Sequence, residues 1–170
     1  MKLIKVRRDI LNWIENFVEQ SNAKLNGWPP CPFARKARIE NKVDVRLGTS
    51  IEVDLYTIND EWDDKFDVVI FAYDPNNYTP DEVSELVEKI NYELLLPNDL
   101  MCLDDHPSDH EEVSGVRMNQ GQYLLLMCQR FGKVNDASDE LKRQGYYDLW
   151  TRDYYDRVVG WREQYGFDDN

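Results

Sequence analysis

The chain is poor in the residues that most often advertise chemistry. Its 170 residues hold three cysteines and two histidines. Cys31, Cys102 and Cys128 are too few and too scattered for a disulfide framework. There is no Cys-x-x-Cys pair and no Gly-rich loop of the kind that cradles phosphate. Basic charge is also short: 20 Lys and Arg stand against 33 Asp and Glu, a net charge of −13. A field of that sign repels phosphate backbones and argues against binding DNA or RNA. The longest apolar run, Tyr123 to Cys128, falls far short of the roughly 20 residues that cross a bilayer. The N-terminal Met-Lys-Leu-Ile-Lys leads into a stretch with charges throughout, without the unbroken apolar region and small-residue cleavage site of a signal peptide. No internal repeat or low-complexity linker interrupts the chain. These absences predict a cytoplasmic protein of a reducing compartment that uses neither membrane nor nucleic acid.

What is present describes an ordinary globular domain. Hydrophobic residues make up 42% and aromatics 12%, which excludes a disordered chain. The length fits one domain, 1–170. Five Trp and ten Tyr need partners for their polar tips, at edges or interfaces. The acids are spread along the chain, as on a solvated surface. The alternative is a partner with a basic face, or mimicry of nucleic-acid charge.

Val6, Ile10, Trp13, Ile14, Phe17 and Val18 recur at helical spacing and predict a helix over about 5–22. Trp28 to Pro32 contains three prolines and is a stiff extended loop. Val43, Val45 and Leu47 alternate with polar residues as in a half-exposed strand. Residues 50–62 fit a helix or a strand, with Thr49 and Glu52 at capping-box spacing favouring the helix. Phe66 to Tyr73 reads as a buried central strand. Thr79-Pro80-Asp81-Glu82 opens a helix with a cap, an early proline and early acids. Strands follow at 100–105 and 122–130, joined by a polar segment, His106 to Gly121, and paired antiparallel. A helix is predicted from Asp136 or Ser138. Another, over 146–165, carries Trp150, Tyr154, Val158, Trp161 and Tyr165 as a stripe. The order α-β-α-β-α-β-β-α-α gives an α+β fold, a four-stranded mixed sheet with packed helices, with parallel neighbours wherever a helix links two strands.

Two segments could carry chemistry. Cys31 lies in the rigid loop with Arg35, Lys36 and Arg38 close behind, and nearby cations favour a thiolate. The plain alternative is a small buried hydrophobe. The second segment, Asp104 to His110, holds both histidines. Strand alternation puts Cys102, Asp104 and His106 on one face, and an aspartate beside a histidine can orient its imidazole. A histidine among carboxylates can hold a divalent metal, but two histidines four apart outside a helix make no recognised ligand motif, so no metal is assigned. Cys128 shares a face with Leu124 and Leu126 and reads as core. The acid pairs Asp63-Asp64 and Glu111-Glu112 read as turn residues.

Cys31-Pro32-Phe33-Ala34, His106-Pro107 with Asp109, Gly115, Asn119, the run Tyr123 to Met127, Arg130, and Val134 with Ala137 form a pattern. In it the chain resembles an uncharacterised family of small bacterial proteins, a domain of unknown function with a Cys-Pro-Phe-Ala motif and a downstream His-Pro strand end. The resemblance covers roughly 5–142. Here Asp105 stands where an aromatic usually precedes the His-Pro, and the following loop is shorter and more acidic. The resemblance implies a family-like core over 1–145, an aromatic helical extension over 146–170, and Cys31 and His106 close together. It implies no reaction.

Two classes of function follow. One is an enzyme acting on a small anionic metabolite. Cys31, His106, Asp104 and Asp109 would be catalytic, with Arg35 and Asn119 binding substrate. The other is a non-enzymatic adaptor or inhibitor that docks a protein partner through Trp150, Tyr154 and Trp161. The sequence specifies no cofactor.

Overall fold

The structure, a computed structural model, describes residues 1–165. Helix α1 (Leu3–Trp13) buries Val6 and Ile10, then widens into a π turn, Ile14–Val18, that keeps Ile14 and Val18 inward. The helical pattern therefore stops short of residue 22. The chain leaves through Asn26 and Gly27, at φ of 55° and 83°, a region that glycine enters freely. The proline loop is non-helical as predicted, but it runs into a short helix, α2 (Ala34–Ile39), that the pattern did not reveal.

Strand β1 (Val43–Leu47) buries Val43 and Val45. The ambiguous segment is helix α3 (Ile51–Glu61). No Thr49–Glu52 box starts it. Instead the buried Asp54 carboxylate folds back and accepts the N–H groups of Thr49 at 2.7 Å and Ser50 at 3.1 Å. It also accepts the hydroxyl of Tyr73 at 2.9 Å, the last residue of β2 (Val68–Tyr73). Helix α4 (Pro80–Ile90) has the predicted capping box between Thr79 and Glu82, and it too widens into a π turn, Asn91–Leu95.

Strand β3 (Leu100–Asp105) is followed by a two-stranded hairpin, β4 (Glu112–Val113) with β5 (Val116–Arg117), inside the polar segment, and then by β6 (Leu124–Arg130). Helix α5 (Phe131–Arg143) begins directly off β6, earlier than Asp136. The reason is distant in sequence: Asp99 accepts the N–H of Phe131 on its carbonyl at 3.0 Å and that of Gly132 on its carboxylate at 2.8 Å. These bonds satisfy donors that a helix start leaves open. The last helical region starts at α6 (Arg152–Tyr155), not at 146, and continues through a third π turn, Asp156–Gly160, to α7 (Trp161–Tyr165).

The fold is the predicted α+β, with a four-stranded mixed sheet of order β1-β2-β6-β3. β1 and β2 are parallel, and β6 pairs antiparallel with both β2 and β3. The helix-linked pair β2 and β3 are thus not neighbours, because β6 inserts between them. Leu124, Leu125 and Leu126 are fully buried, and only an interior strand can bury both faces of such a run. One face of the sheet packs on α3 and α4, and the other on α1. β3 is left as an edge strand.

Residues 146–165 pack onto this body. Tyr146 and Val159 are buried, and Arg162 is buried against Met101, Asn135 and Ser138. The remainder of the predicted extension, 166–170, lies outside the described residues. No helix among the described residues is long and apolar enough to cross a membrane.

Candidate functional site

Cys31 is positioned by the proline loop, whose backbone is pinned where the Cys31 N–H donates to the Val18 carbonyl at 2.9 Å. The half-buried side chain packs into the α1 layer. Burial pushes the thiol up, and the nearby N–H groups of Phe33 and Ala34 only partly offset it. The cations that follow do not act on it: Arg35 and Lys36 are exposed on α2, and Arg38 forks onto Glu19 at 2.8 and 2.7 Å. Cys31 has the environment of a packed thiol rather than of an activated nucleophile.

His106 lies on the other side of the sheet and is only 4% exposed. Its Nε2 sits 3.1 Å from the Pro75 carbonyl and 3.0 Å from that of Tyr78, in the turn that leads into α4. Its Nδ1 accepts the Ser108 N–H at 3.1 Å. This pattern assigns the proton to Nε2 and occupies the lone pair of Nδ1. The imidazole ties two loops together and has no free nitrogen with which to act as a base. The expected pairing of Cys31 with His106 is therefore corrected: Cys31 packs in the α1 layer and His106 against the turn that leads into α4, and the sheet lies between those two layers.

Asp104 and Asp109 do not touch the imidazole either. Asp104 accepts the Ser84 hydroxyl at 3.2 Å, and Asp109 pairs with Arg157. Asn119 is buried and committed to the fold, donating to Asp105 at 2.9 Å and accepting the Glu111 N–H at 3.1 Å, so it is not a substrate group. The aromatic stripe turns inward. Trp150 and Tyr154 pack with Leu25, Val113 and Val116, and Trp161 meets Tyr92 edge-on at 6.0 Å.

What the structure does assemble is a cleft of about 420 Å³ along the free edge of β3. Asp81, Ser84, Glu88 and Tyr92 form the wall on the α4 side. Cys102 and Asp104 lie at the strand, and Asp109, Arg157 and Trp161 close the far side. Two of the three π turns among the described residues border it: one presents Asn91, the other Arg157. Such single wide turns recur at functional sites because they re-aim side chains out of the helical register.

Asn91, 3% exposed, blunts the strand edge. Its carboxamide accepts the N–H of Cys102 at 2.8 Å and donates to the carbonyl of the same residue at 2.9 Å. Asn91→Ala would leave both backbone groups buried and unpaired, at a cost of about 2–3 kcal/mol. Urea denaturation should show this loss, and an unchanged midpoint would mean that water replaces the carboxamide.

Behind the cleft lies a carboxylate cluster. Arg157 pairs with Asp109 and with Glu111, the latter at 2.6 Å, and the Tyr154 hydroxyl donates to Glu111 at 3.4 Å. Burial pushes Glu111 up to about 7 despite the arginine, with Asp104, Asp105 and Asp109 adding to the rise. Burial also raises Asp104 and Asp105. Glu111 is thus no simple turn residue. Among the described residues no group of three or more His, Cys, Asp and Glu has the arrangement to hold a metal ion.

Comparison with known proteins adds nothing to this geometry. No family model, curated protein or solved structure matches the chain. Ser84, Asn91, Tyr92 and Arg157 were not singled out by the sequence, and Glu111 was read there only as a turn residue. The one signal was the density of acids from Asp104 to Glu112, which says nothing of the arginine 48 residues after Asp109 that closes onto it.

Proposed function

We propose that the protein is a non-enzymatic binding module, an adaptor or inhibitor, that captures a basic segment of a protein partner in the cleft along β3. The observation that supports this most directly is the charge of the lining. Asp81, Glu88, Asp104 and Asp109 face Arg157 as the one cation, and that cation is already paired with Asp109 and Glu111. Tyr92 and Trp161 add aromatic surface beside the acids. Carboxylates next to an aromatic ring suit a lysine or arginine side chain, which gains both charge pairing and cation–π contact. The net charge of −13 would steer a basic partner in and repel nucleic acid.

The partner's backbone need not extend the sheet, since Asn91 already occupies both edge groups of Cys102. Side-chain capture is the mode that the acidic lining suits. The three cysteines are free thiols, in keeping with a cytoplasmic setting.

Fluorescence anisotropy with a labelled Lys/Arg-rich peptide and an acidic peptide of equal length tests the reading. Only the basic peptide should bind, and affinity should fall steeply with salt. Asp81→Asn with Glu88→Gln should weaken it about tenfold, which corresponds to about 1.4 kcal/mol. Equal affinity for the double variant, or preference for the acidic peptide, would remove the cleft from consideration.

A further inference from the structure

Cys102 and Cys128 stand directly opposite each other on β3 and β6. They are 1% and 0% exposed, in the layer shared with α3 and α4. The N–H and carbonyl of Cys102 point away from β6, to Asn91. The two cysteines therefore form a non-hydrogen-bonded cross-strand pair, the closer of the two kinds, with Cα atoms roughly 4.5 Å apart. That separation lies at the near end of the roughly 4.4–6.8 Å span that a disulfide bridges. The Cys102 thiol donates to the Leu103 carbonyl at 3.7 Å. Cys102 is also one of the residues that line the cleft.

We propose that Cys102 and Cys128 are an oxidation site, closing to a cross-strand disulfide when the protein meets hydrogen peroxide. The thiolate of Cys102 attacks the peroxide, the O–O bond breaks, and Cys102 becomes a sulfenic acid as the departing hydroxide takes a proton to leave as water. The thiol of Cys128 then displaces the sulfenic oxygen as a second water, and the S–S bond forms. Two thiols and one peroxide give one disulfide and two waters, with two electrons passing from sulfur to oxygen. The bond fastens the edge strand, and with it the floor of the cleft, to the middle of the sheet. Because burial holds the Cys102 thiol protonated, the reaction is slow at neutral pH and accelerates as the pH rises. The inference stands on the thiol pair alone and holds whatever the cleft binds.

Hydrogen peroxide added to the folded full chain tests it, with Cys31→Ser in place so that no third thiol competes. The expected product has lost two hydrogen atoms. A proteolytic map made without reductant should join the Cys102 peptide to the Cys128 peptide, and dithiothreitol should restore both thiols. Cys128→Ala should give no joined peptide. The same map on the unaltered chain keeps the experiment decisive if Cys31→Ser folds poorly. The proposal is overturned if the folded chain keeps both thiols free under conditions that oxidise the urea-unfolded chain. It is also overturned if Cys102 proceeds to sulfinic acid without ever joining Cys128.

Discussion

Gly48→Ala is expected to cost about 3 kcal/mol or more of folding stability. A Cβ on Gly48 would lie 2.0 Å from Cε1 of Tyr73 and 2.2 Å from its Cζ. Tyr73 cannot swing aside, since its ring is buried and its hydroxyl is held by Asp54 at 2.9 Å. Asp54 in turn holds the N–H groups of Thr49 and Ser50, just ahead of α3. Glycine is needed here for space rather than for a positive φ, and the added methyl would strain the turn that joins β1 to α3. Urea unfolding of Gly48→Ala measures the loss. Tyr73→Ala will itself destabilise by about 3–5 kcal/mol, as large buried truncations do. In that background the cost of Gly48→Ala should nearly vanish, which is strong coupling between neighbours. A cost that is the same with and without the tyrosine ring would mean that the clash is not the cause.

The second large effect is on pH dependence. The folded Glu111 carboxyl is pushed up to about 7 from an ordinary 4.5, chiefly by burial, so folding favours its protonated form. That contribution is complete below about pH 4.5 and is lost as the pH climbs through about 7. The loss is about 3 kcal/mol at most, at 1.36 kcal/mol per unit. The groups facing it are Arg157 and Tyr154 from the C-terminal helix and Asp104, Asp105 and Asp109 from the end of β3 and its loop. Asp104 and Asp105, raised by the same burial, push stability in the same direction. Thermal midpoints should therefore decline from pH 5 to pH 8. Glu111→Gln should flatten that decline by removing its largest contributor. A wild-type midpoint that rises over this interval would show that the ion pair with Arg157 outweighs desolvation.

Much of the architecture was legible in local pattern. The apolar run ending at Tyr73 had to be an interior strand, and the capping box at Thr79 and Glu82 marked the start of α4 to the residue. Alternation put Cys102, Asp104 and His106 on one face of the strand; that this face meets α3 and α4, with Cys102 opposite Cys128, came only from the tertiary structure. The start of α5 was missed because its donors are satisfied by Asp99, 33 residues upstream of Gly132, and no window of sequence contains that bond. The end of α1 and the late start of α6 were missed for a related reason: π turns and a turn at Gly145 break the 3.6-residue period on which the reading relied.

The sequence by itself determined the fold class, the acidic field and most of the core, because hydrophobic period and net charge are properties of composition and local order. Which polar groups meet was decided only by the tertiary structure. The insertion of β6 between β2 and β3 made β3 an edge, while the packing of α1 on one face and of α3 and α4 on the other put Cys31 and His106 in opposite layers and left His106 to bind two carbonyls. The same insertion exposed the strand against which Asn91, Asp104 and Arg157 converge. Strand order depends on contacts between segments far apart in the chain, where the burial of whole faces outweighs the preference of any single residue.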